Sequence, residues 1–305
     1  MKKSQWNLLA CFCTVGVLVG FSCKTRFPTT HADYKASLSP IAMERGRVLV
    51  YSSCAGCHYN QKAGKFIGNP ILDVPGIAGK VYSANLTHSK SNGLTIKYTD
   101  AQLKFLLKTG IAYDGRYDGY MLRPNMAESD LDAIVAFLRS DDPALAAADT
   151  TVGPTHYNFI GKVYMDMNAK PLAYQKDIKR PGEDNIVELG GYLVDNLACF
   201  HCHSGSLTSL NYLYPSQSKG FMAGGIKLKG EVGIPVTASN ITPDKNTGIG
   251  NYTREQFIKA VKYGEAPAQK LVAPMPKYKM LTDAEVGSIY AYIQTIPAVD
   301  HKVKL

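Results

Sequence analysis

Residues 54–58 of the chain read Cys-Ala-Gly-Cys-His, and residues 199–203 read Cys-Phe-His-Cys-His. In each motif two thiols stand three positions apart, and a histidine follows the second thiol directly. Two thiols at this spacing can both add to the vinyl groups of one haem, and the next histidine can then offer its imidazole to the iron. The spacing is typical of c-type haem attachment, so the sequence predicts two covalently bound haem c groups. Their predicted attachment residues and proximal iron ligands are Cys54, Cys57, His58, Cys199, Cys202 and His203.

Two other chemistries use paired cysteines. Four thiols could form a single zinc site, and a Cys-x-x-Cys pair of low pKa could act as a redox-active dithiol. A histidine follows each pair and each motif begins its own copy of an internal repeat, which argues against one shared zinc site. No βαβ pattern surrounds either motif, which argues against a thioredoxin-like dithiol. Haem attachment is therefore favoured, and His201 inside the second motif is expected to be an exposed bystander.

The internal repeat predicts two similar domains that are mainly helical. Residues 41–54 (IAMERGRVLVYSSC) and 186–199 (IVELGGYLVDNLAC) carry apolar residues at three- and four-residue intervals. This periodicity predicts a short amphipathic helix that ends at each motif. Further along the chain, residues 84–87 (Ala-Asn-Leu-Thr) match residues 239–242 (Ser-Asn-Ile-Thr).

Capping signals mark the remaining predicted helices. Thr99 and Thr253 are each followed three residues later by a glutamine, as in a capping box. Each copy then closes with a predicted helix, over 129–139 in the first copy and 282–295 in the second. Ser129, followed by Asp130, is expected to cap the first of these closing helices, since serine and aspartate are favoured N-cap residues. Thr282 and Glu285 are expected to form a capping box at the start of the second.

The repeat and its boundaries predict the domain organisation. We expect one domain over residues 40–140 and a second over residues 186–297. Residues 141–185 hold four prolines and no clear periodicity, so they are expected to form a linker or packing that ties the two domains together. The predicted fold class is mainly α, with two tandem domains, long loops and a covalent haem in each.

Methionines in both copies are candidates for the sixth iron ligand, because a proximal histidine leaves one coordination position open and a methionine thioether raises the reduction potential. In the second copy the predicted ligand is Met275, which stands between two prolines that stiffen the loop. Met280 is the fallback. In the first copy the predicted ligand is Met121, with Met126 as its rival, since this pair repeats the five-residue spacing of the second pair.

The amino terminus predicts export. Lys2 and Lys3 precede an uncharged run of 15 residues over 8–22. This run is shorter than the roughly 20 residues that a membrane-spanning helix needs, and it has the length of a signal-peptide core. We expect a lipoprotein-type signal peptide over residues 1–22 with Cys23 as the lipidated residue. An uncleaved anchor and ordinary secretion are alternatives, and all three place the folded part outside the cytoplasm. The predicted location is the periplasmic side of a membrane.

The composition limits the classes of protein that remain. The chain has 305 residues, of which 45% are hydrophobic and 19% charged, as in a globular protein of two ordinary domains. Its formal net charge of +9 falls to +7 without the two leader lysines. This charge is compatible with an acidic redox partner or an anionic membrane surface. The sequence shows no basic run, so we predict no nucleic-acid binding. Three of the seven cysteines lie in or at the end of the leader and four in the motifs, so none remains for a structural disulfide.

With these features the chain resembles the class I, dihaem cytochrome c family. It is most similar in pattern to the cytochrome subunits that accept electrons from periplasmic alcohol, aldehyde and sugar-acid dehydrogenases. The resemblance implies that Gly46 and Gly191 let the first helix of each domain cross the last one closely, against Phe137 and Tyr292. The resemblance spans roughly residues 40–297, and the features that carry it are the two CxxCH motifs, residues 240–253, Met275-Pro276 and the closing helices.

The predicted function is that of a membrane-tethered electron carrier. Electrons would pass between a donor dehydrogenase or quinol-oxidising complex and a downstream acceptor such as a terminal oxidase. Six-coordinate iron leaves no position for a substrate, so no catalytic residues and no enzyme activity are expected. The alternative is an oxidoreductase similar to dihaem cytochrome c peroxidases, with one open haem. Both copies keep a methionine at the same place, which favours the carrier.

Overall fold

The computed structural model describes residues 25–72, 74, 76–230 and 234–303, which form a mainly helical structure with a few short strands. The α-helices are α1 (Pro40–Ser53), α2 (Ala55–His58), α3 (Asp100–Thr109), α4 (Glu128–Leu138), α5 (Phe159–Met167), α6 (Ile186–Asn196), α7 (Cys199–His203), α8 (Arg254–Tyr263) and α9 (Asp283–Ile293). The strands are β1 (Gly79–Lys80), β2 (His156–Tyr157), β3 (Lys227–Lys229) and β4 (Pro235–Thr237). β1 pairs with β2 and β3 pairs with β4, both antiparallel. Single 3₁₀ turns cover Gly76–Ala78, Thr95–Lys97, Gly119–Met121, Pro143–Leu145, Leu207–Ser209 and Pro215–Gln217.

Side-chain caps fix the starts of three helices. Capping boxes begin α3 at Thr99, α8 at Thr253 and α9 at Thr282, which confirms the predicted starts. The predicted cap of α4 is wrong, because α4 begins at Glu128 without a side-chain cap and Ser129 lies inside its first turn. The carboxylate of Asp130, one residue further on, does not cap the helix either, since it accepts hydrogen bonds from Arg45 and Tyr192.

In each half of the molecule the first helix crosses the last one at a glycine. A Cβ atom on Gly46 of α1 would lie 1.8 Å from the carbonyl oxygen of Ala133 in α4. A Cβ atom on Gly190 of α6 would lie 1.9 Å from the carbonyl oxygen of Ser288 in α9. Only glycine permits such a close approach of two backbones. The expectation is therefore confirmed for Gly46 and wrong for Gly191, whose place is taken by its neighbour Gly190.

The shift from one glycine to the next has a local cause. Helix α1 runs to Ser53, and Cys54 follows as its C-cap residue. Helix α6 ends earlier, at Asn196, and Ala198 then adopts the left-handed conformation with φ of 56° before α7 begins at Cys199. One more residue therefore separates the crossing point from the first cysteine in the second half. Counting back from the cysteine consequently gives the wrong glycine.

Each half has its own hydrophobic core, which sits between the first and last helices of that half. The first core continues from the helices into the loop at Phe66, which is fully buried and packs edge-on against the Tyr51 ring. In the second half the fully buried Met222 lies in the core. The first core includes Leu49, Val50, Phe66, Leu103, Met126, Leu131, Ile134 and Phe137. The second includes Leu189, Leu193, Phe200, Met222, Phe257, Leu281, Val286 and Ile289.

The segment 141–185 packs against both halves and contains helix α5. Gly161 of α5 lies against the 3₁₀ turn Gly76–Ala78, where a Cβ atom would meet the Ala78 carbonyl oxygen at 2.0 Å. The Tyr174 hydroxyl donates a hydrogen bond to Glu128 of the first half. Arg180 forms an ion pair with Glu285 of the second half at 3.6 Å. The segment therefore contacts both halves.

A largely buried ionic network also joins the halves. Arg45 of α1 pairs with Asp130 of α4 at 3.0 Å and with Glu285 of α9 at 2.7 Å. Tyr192 of α6 donates its hydroxyl hydrogen to Asp130 at 2.8 Å. Both carboxylates are almost completely buried, and such charges are retained only where they are paired. The network therefore fixes the start of each closing helix against the other half.

Across the part of the chain that the structure describes, no helix has both the length and the apolar character needed to cross a membrane. The predicted signal peptide over 1–22 and the predicted lipidation site Cys23 lie outside the described residues.

Candidate functional site

Both CxxCH motifs form a short helical turn directly after a longer helix. The first motif continues α1, since the Cys54 amide donates to the Val50 carbonyl and the His58 amide donates to the Cys54 carbonyl, both at 2.9 Å. The second motif is a separate turn, α7, because Ala198 interrupts the path from α6. In both motifs the histidine lies one helical turn after the first cysteine. The two thiols and the imidazole of each motif are therefore held on one rigid piece of backbone.

The two predicted proximal histidines have the same hydrogen-bond geometry. His58 Nδ1 lies 2.8 Å from the carbonyl oxygen of Ala84, and His203 Nδ1 lies 2.8 Å from the carbonyl oxygen of Ser239. A carbonyl oxygen only accepts, so Nδ1 carries the proton and Nε2 keeps its lone pair. Burial lowers the pKa of both imidazoles, which keeps them neutral. A neutral imidazole whose other nitrogen is fixed by a backbone carbonyl is the usual form of a metal-ligating histidine.

The carbonyl acceptors come from the repeat that the sequence revealed. Ala84 and Ser239 begin the matched stretches 84–87 and 239–242. In each stretch the next residue is an asparagine whose side-chain oxygen accepts the amide hydrogen of the threonine two positions later, at 2.9 Å. This turn fixes the preceding carbonyl towards the histidine. Both halves therefore repeat the CxxCH motif and also the backbone carbonyl that accepts the Nδ1 hydrogen bond of its histidine.

The burial of Cys54 and Cys199 argues against the low-pKa dithiol interpretation. Burial raises the pKa of Cys54 to about 11 and that of Cys199 to about 12. These thiols are protonated near neutral pH, whereas a redox-active dithiol needs a lowered pKa. No disulfide joins any two of Cys54, Cys57, Cys199 and Cys202. Among the described residues, no three His, Cys, Asp or Glu side chains are grouped as a metal site would need.

The loop after the first motif supports the motif through polar contacts that the sequence did not predict. The Ser83 hydroxyl and the Asn69 amide both donate to the Cys57 carbonyl, at 2.6 and 3.0 Å. The Gly68 amide donates to the His58 carbonyl at 3.0 Å, and in the second half Gly224 donates to the His203 carbonyl at 2.8 Å. These bonds satisfy carbonyl groups at the open end of each motif helix.

The two predicted methionine ligands lie in matching turns. The Met121 amide donates to the Asp118 carbonyl at 3.2 Å, and the Met275 amide donates to the Val272 carbonyl at 3.1 Å. Met121 packs against the core of the first half together with Cys54. Met275 packs against the core of the second half together with Cys199. Each methionine is half-buried and thus borders the same core as the first cysteine of its motif.

The two alternative methionines differ from each other in position. Met126 is completely buried in the first core, and its amide donates to the Arg123 carbonyl. The residue in the matching position of the second half is Leu281, which is buried and donates to the Tyr278 carbonyl. Met126 therefore corresponds to a core leucine. Met280 is half-buried and immediately precedes that leucine.

His201 is not the exposed bystander that the sequence suggested. Its Nδ1 lies 2.8 Å from the Tyr212 hydroxyl, and its ring lies 6.1 Å from that of Tyr120 in the other half. Burial, with a smaller contribution from the nearby Arg123 guanidinium, lowers the pKa of His201 to about 4. His201 is thus a neutral side chain in the contact between the two halves, which no feature of the isolated motif could reveal.

The residues of both sites fit a covalently attached haem. Each site offers two thiols on one helical turn and one imidazole whose Nε2 carries no proton. The donor set, a histidine nitrogen with a methionine sulfur available on a neighbouring loop, is one that holds haem iron in cytochromes c.

Comparison with known proteins finds similarity to cytochromes c. Residues 43–141 match the family described as cytochrome c. The chain is 38% identical over 112 residues to the fructose dehydrogenase cytochrome subunit of Gluconobacter japonicus, a match that covers 36% of this chain and 21% of that protein. It is 34% identical over 114 residues to the gluconate 2-dehydrogenase cytochrome c subunit of Pantoea cypripedii, covering 36% of this chain and 23% of that protein. These matches span about a fifth of the length of either relative.

A third relative aligns over nearly the whole chain. This relative, a nicotinate dehydrogenase subunit of Pseudomonas putida, is 25% identical over 323 aligned positions, covering 97% of this chain and 25% of that protein. Together the comparisons confirm the resemblance to the cytochrome c family, and residues 43–141 form a cytochrome c domain. A cytochrome c domain implies covalently bound haem c with its iron.

Proposed function

We propose that the protein is a dihaem c-type cytochrome that transfers electrons between a donor dehydrogenase or quinol-oxidising complex and a downstream acceptor. The observation that carries this proposal is the equal geometry of His58 and His203, each fixed through Nδ1 to a matching carbonyl at 2.8 Å. When bound, each haem supplies an iron that takes up and releases one electron. The protein's own residues attach the haems, orient them and set their potentials.

In the first half, Cys54 and Cys57 would attach the haem and His58 would ligate its iron. We propose Met121 as the sixth ligand. Two observations support it against Met126: the Met121 turn matches the turn of Met275, and Met126 is completely buried at a position that is a leucine in the other half.

In the second half, Cys199 and Cys202 would attach the haem, His203 would ligate its iron and Met275 would be the sixth ligand. The support is the same arrangement of helix, histidine and methionine turn that the first half shows. The relative that aligns over 97% of the chain includes both halves, whereas the family match covers the first half only.

Two methionine ligands favour a carrier over an enzyme. An iron with both a histidine and a methionine ligand has no open position, so a substrate such as peroxide could not bind to it. The carrier role also agrees with the relatives, which are named as cytochrome subunits of dehydrogenases. Our proposal for the partners is therefore a donor dehydrogenase or quinol-oxidising complex on one side and an acceptor such as a terminal oxidase on the other.

The proposed location is the periplasmic side of a membrane, with the chain tethered through a lipid on Cys23. The support is the charged start and the apolar run of residues 8–22. Covalent haem attachment agrees with export, since bacteria attach haem c outside the cytoplasm. Mass spectrometry of the mature amino terminus tests the tether, because a lipidated cysteine at position 23 has a mass that neither an uncleaved leader nor a plain amino terminus has.

Haem content and ligand-binding spectra test the function. The holoprotein should contain two haems per chain, and both should be low-spin in the ferric and ferrous states and unreactive towards carbon monoxide. One haem per chain would contradict the dihaem proposal. A haem that is high-spin or binds carbon monoxide would contradict the carrier and favour the peroxidase-like alternative.

A pair of methionine variants tests the ligand of the first haem. Met121→Ala should lower the reduction potential of one haem by on the order of tenths of a volt, since axial ligands set haem potentials over a wide range. Met126→Leu places a leucine where the second half already has one, so both potentials should stay unchanged. Redox titration followed by absorbance measures both variants. The opposite pattern would move the ligand to Met126.

A further inference from the structure

Arg123 occupies a special position between the two halves. Its amide donates to the Leu107 carbonyl, as the Tyr278 amide donates to the Val261 carbonyl in the second half. Arg123 and Tyr278 therefore hold equivalent positions in the loop that carries the methionine. At this position the second half has a buried tyrosine ring, while the first half has a guanidinium group long enough to reach the other half.

The guanidinium is anchored beside both motifs. Arg123 Nε donates to the carbonyl oxygen of Asn196 at 2.9 Å, and Nη1 donates to the carbonyl oxygen of Leu122 at 2.6 Å. The same Asn196 carbonyl accepts a hydrogen bond from the Ser53 hydroxyl at 3.3 Å. Ser53 immediately precedes Cys54, and Asn196 comes three residues before Cys199. One carbonyl thus joins the approach to the first motif, the approach to the second motif and the guanidinium.

The positive charge of Arg123 has no acidic partner within the residues that the structure describes. All its hydrogen-bond acceptors there are backbone carbonyls. A charge without a counter-ion in a partly buried position acts over a longer distance than one in a salt bridge. Consistent with this reach, the guanidinium acts to lower the pKa of both Cys54 and Cys199, although burial outweighs it at each thiol.

We propose that Arg123 is a shared electrostatic determinant of both haem sites, an inference that rests on the proposed dihaem function. A fixed positive charge favours the reduced state of an iron, which carries one positive charge less than the oxidised state. Because the guanidinium lies beside the chain that leads into both motifs, it raises the reduction potential of both haems. Neither half alone would have this control, since the side chain comes from the first half and one of its carbonyl acceptors, that of Asn196, comes from the second.

Redox titration of the holoprotein with Arg123→Gln tests the inference. A unit charge at roughly 10 Å in a medium of effective dielectric constant about 20 changes an equilibrium by roughly tenfold. A tenfold change in the ratio of oxidised to reduced iron is about 59 mV for a one-electron couple. We therefore expect both haem potentials to fall, each by about this factor.

Two further variants separate charge from structure. Arg123→Lys keeps the positive charge, so both potentials should stay close to those of the unaltered protein. Arg254→Gln removes a positive charge from an exposed arginine at the start of α8, so it controls for the general loss of charge and should leave both potentials unchanged. Far-ultraviolet circular dichroism and the haem spectrum confirm that each variant is folded and carries its haems.

Several outcomes would overturn the inference. Unchanged potentials in Arg123→Gln, or a fall at one haem only, would show that the charge is not shared. Equal falls in the glutamine and lysine variants would show that the side chain acts through packing instead of charge. A fall of the same size in Arg254→Gln would show an unspecific effect. If the unaltered protein carries one haem per chain, the proposed function fails first, and haem content measured beforehand distinguishes that failure from failure of the Arg123 inference.

Discussion

Replacing Gly190 with alanine should destabilise the second half strongly, whereas the same change at Gly191 should not. An added Cβ atom at Gly190 would lie 1.9 Å from the Ser288 carbonyl oxygen and 2.8 Å from the Cβ atom of Tyr292. The first contact is with backbone, so no side-chain rotation can relieve it and helices α6 and α9 must move apart. At Gly191 the nearest atom is Cε2 of the Tyr292 ring at 3.0 Å, and that half-buried ring can shift.

These contacts set the expected loss in the free energy of unfolding for each variant. Overpacking costs about 1–3 kcal/mol and occasionally more, and a contact of backbone with backbone belongs at the upper end, about 3 kcal/mol or more. This loss corresponds to a fall of the unfolding temperature by roughly 10 °C or more for a unit of about 100 residues. In Gly191→Ala the ring contact is offset by the helix propensity of alanine, which is about 1 kcal/mol better than that of glycine. The net change should therefore stay within about 1 kcal/mol.

Urea denaturation of the two holoproteins, followed by circular dichroism and haem absorbance, measures this difference. The two variants are a matched pair because they add the same methyl group to neighbouring positions of one helix. Equal losses of stability, or a larger loss in Gly191→Ala, would refute the assignment of Gly190 as the crossing residue. The prediction thus tests the correction that the structure makes to the sequence-based expectation.

Two more predictions concern charge. Glu285→Gln should lower the free energy of unfolding by about 2–4 kcal/mol, since it leaves the half-buried Arg45 with one partner less. The matched control is Glu183→Gln, at a carboxylate that is 77% exposed, where the loss should stay below about 1 kcal/mol. Equal losses of stability in the two variants, measured from denaturation midpoints, would contradict this prediction. Burial raises the pKa of Asp195 from 3.8 to about 6, so the protonated form is favoured in the folded state. The contribution of the protonated Asp195 side chain to the free energy of unfolding is complete below pH 3.8 and is lost as the pH rises through 6. At pH 7 the buried side chain is charged, so the neutral variant Asp195→Asn should be more stable than the unaltered protein by about 1–3 kcal/mol. No gain at pH 7, or the same gain at pH 4, in denaturation curves would contradict the raised pKa.

The sequence was sufficient to predict the features that recur in the two halves. The CxxCH motifs, the helix before each motif and three capping boxes are local patterns, and the structure has them where the sequence predicts them. The matched stretches 84–87 and 239–242 signalled a shared role, although the sequence could not show that this role is to hold the Nδ1 atoms of His58 and His203.

The errors arose where the halves differ by one residue. The left-handed Ala198 adds a residue between crossing glycine and cysteine, so equal spacing from the cysteine pointed to Gly191. The loop after Met275 is likewise one residue longer than the loop after Met121, as the equivalent positions Tyr278 and Arg123 show. Equal five-residue spacing of the methionines therefore did not mean equal positions. Such insertions are visible only when backbone hydrogen bonds are compared.

The contacts between the halves lay beyond sequence reasoning, because they join residues far apart in the chain with no shared pattern. They occur at two places, at the starts of the closing helices and in the chain that leads into the two motifs. At the helix starts, Arg45 joins α4 and α9 through Asp130 and Glu285. Before the motifs, the Asn196 carbonyl accepts hydrogen bonds from Ser53 and Arg123 of the first half. Because Ser53 lies one residue before Cys54 and Asn196 lies three residues before Cys199, these hydrogen bonds between the halves hold the two motifs relative to each other. A flexible connection would let the distance between the two motifs vary. Here a substitution at the Asn196 junction is instead expected to affect both haem sites.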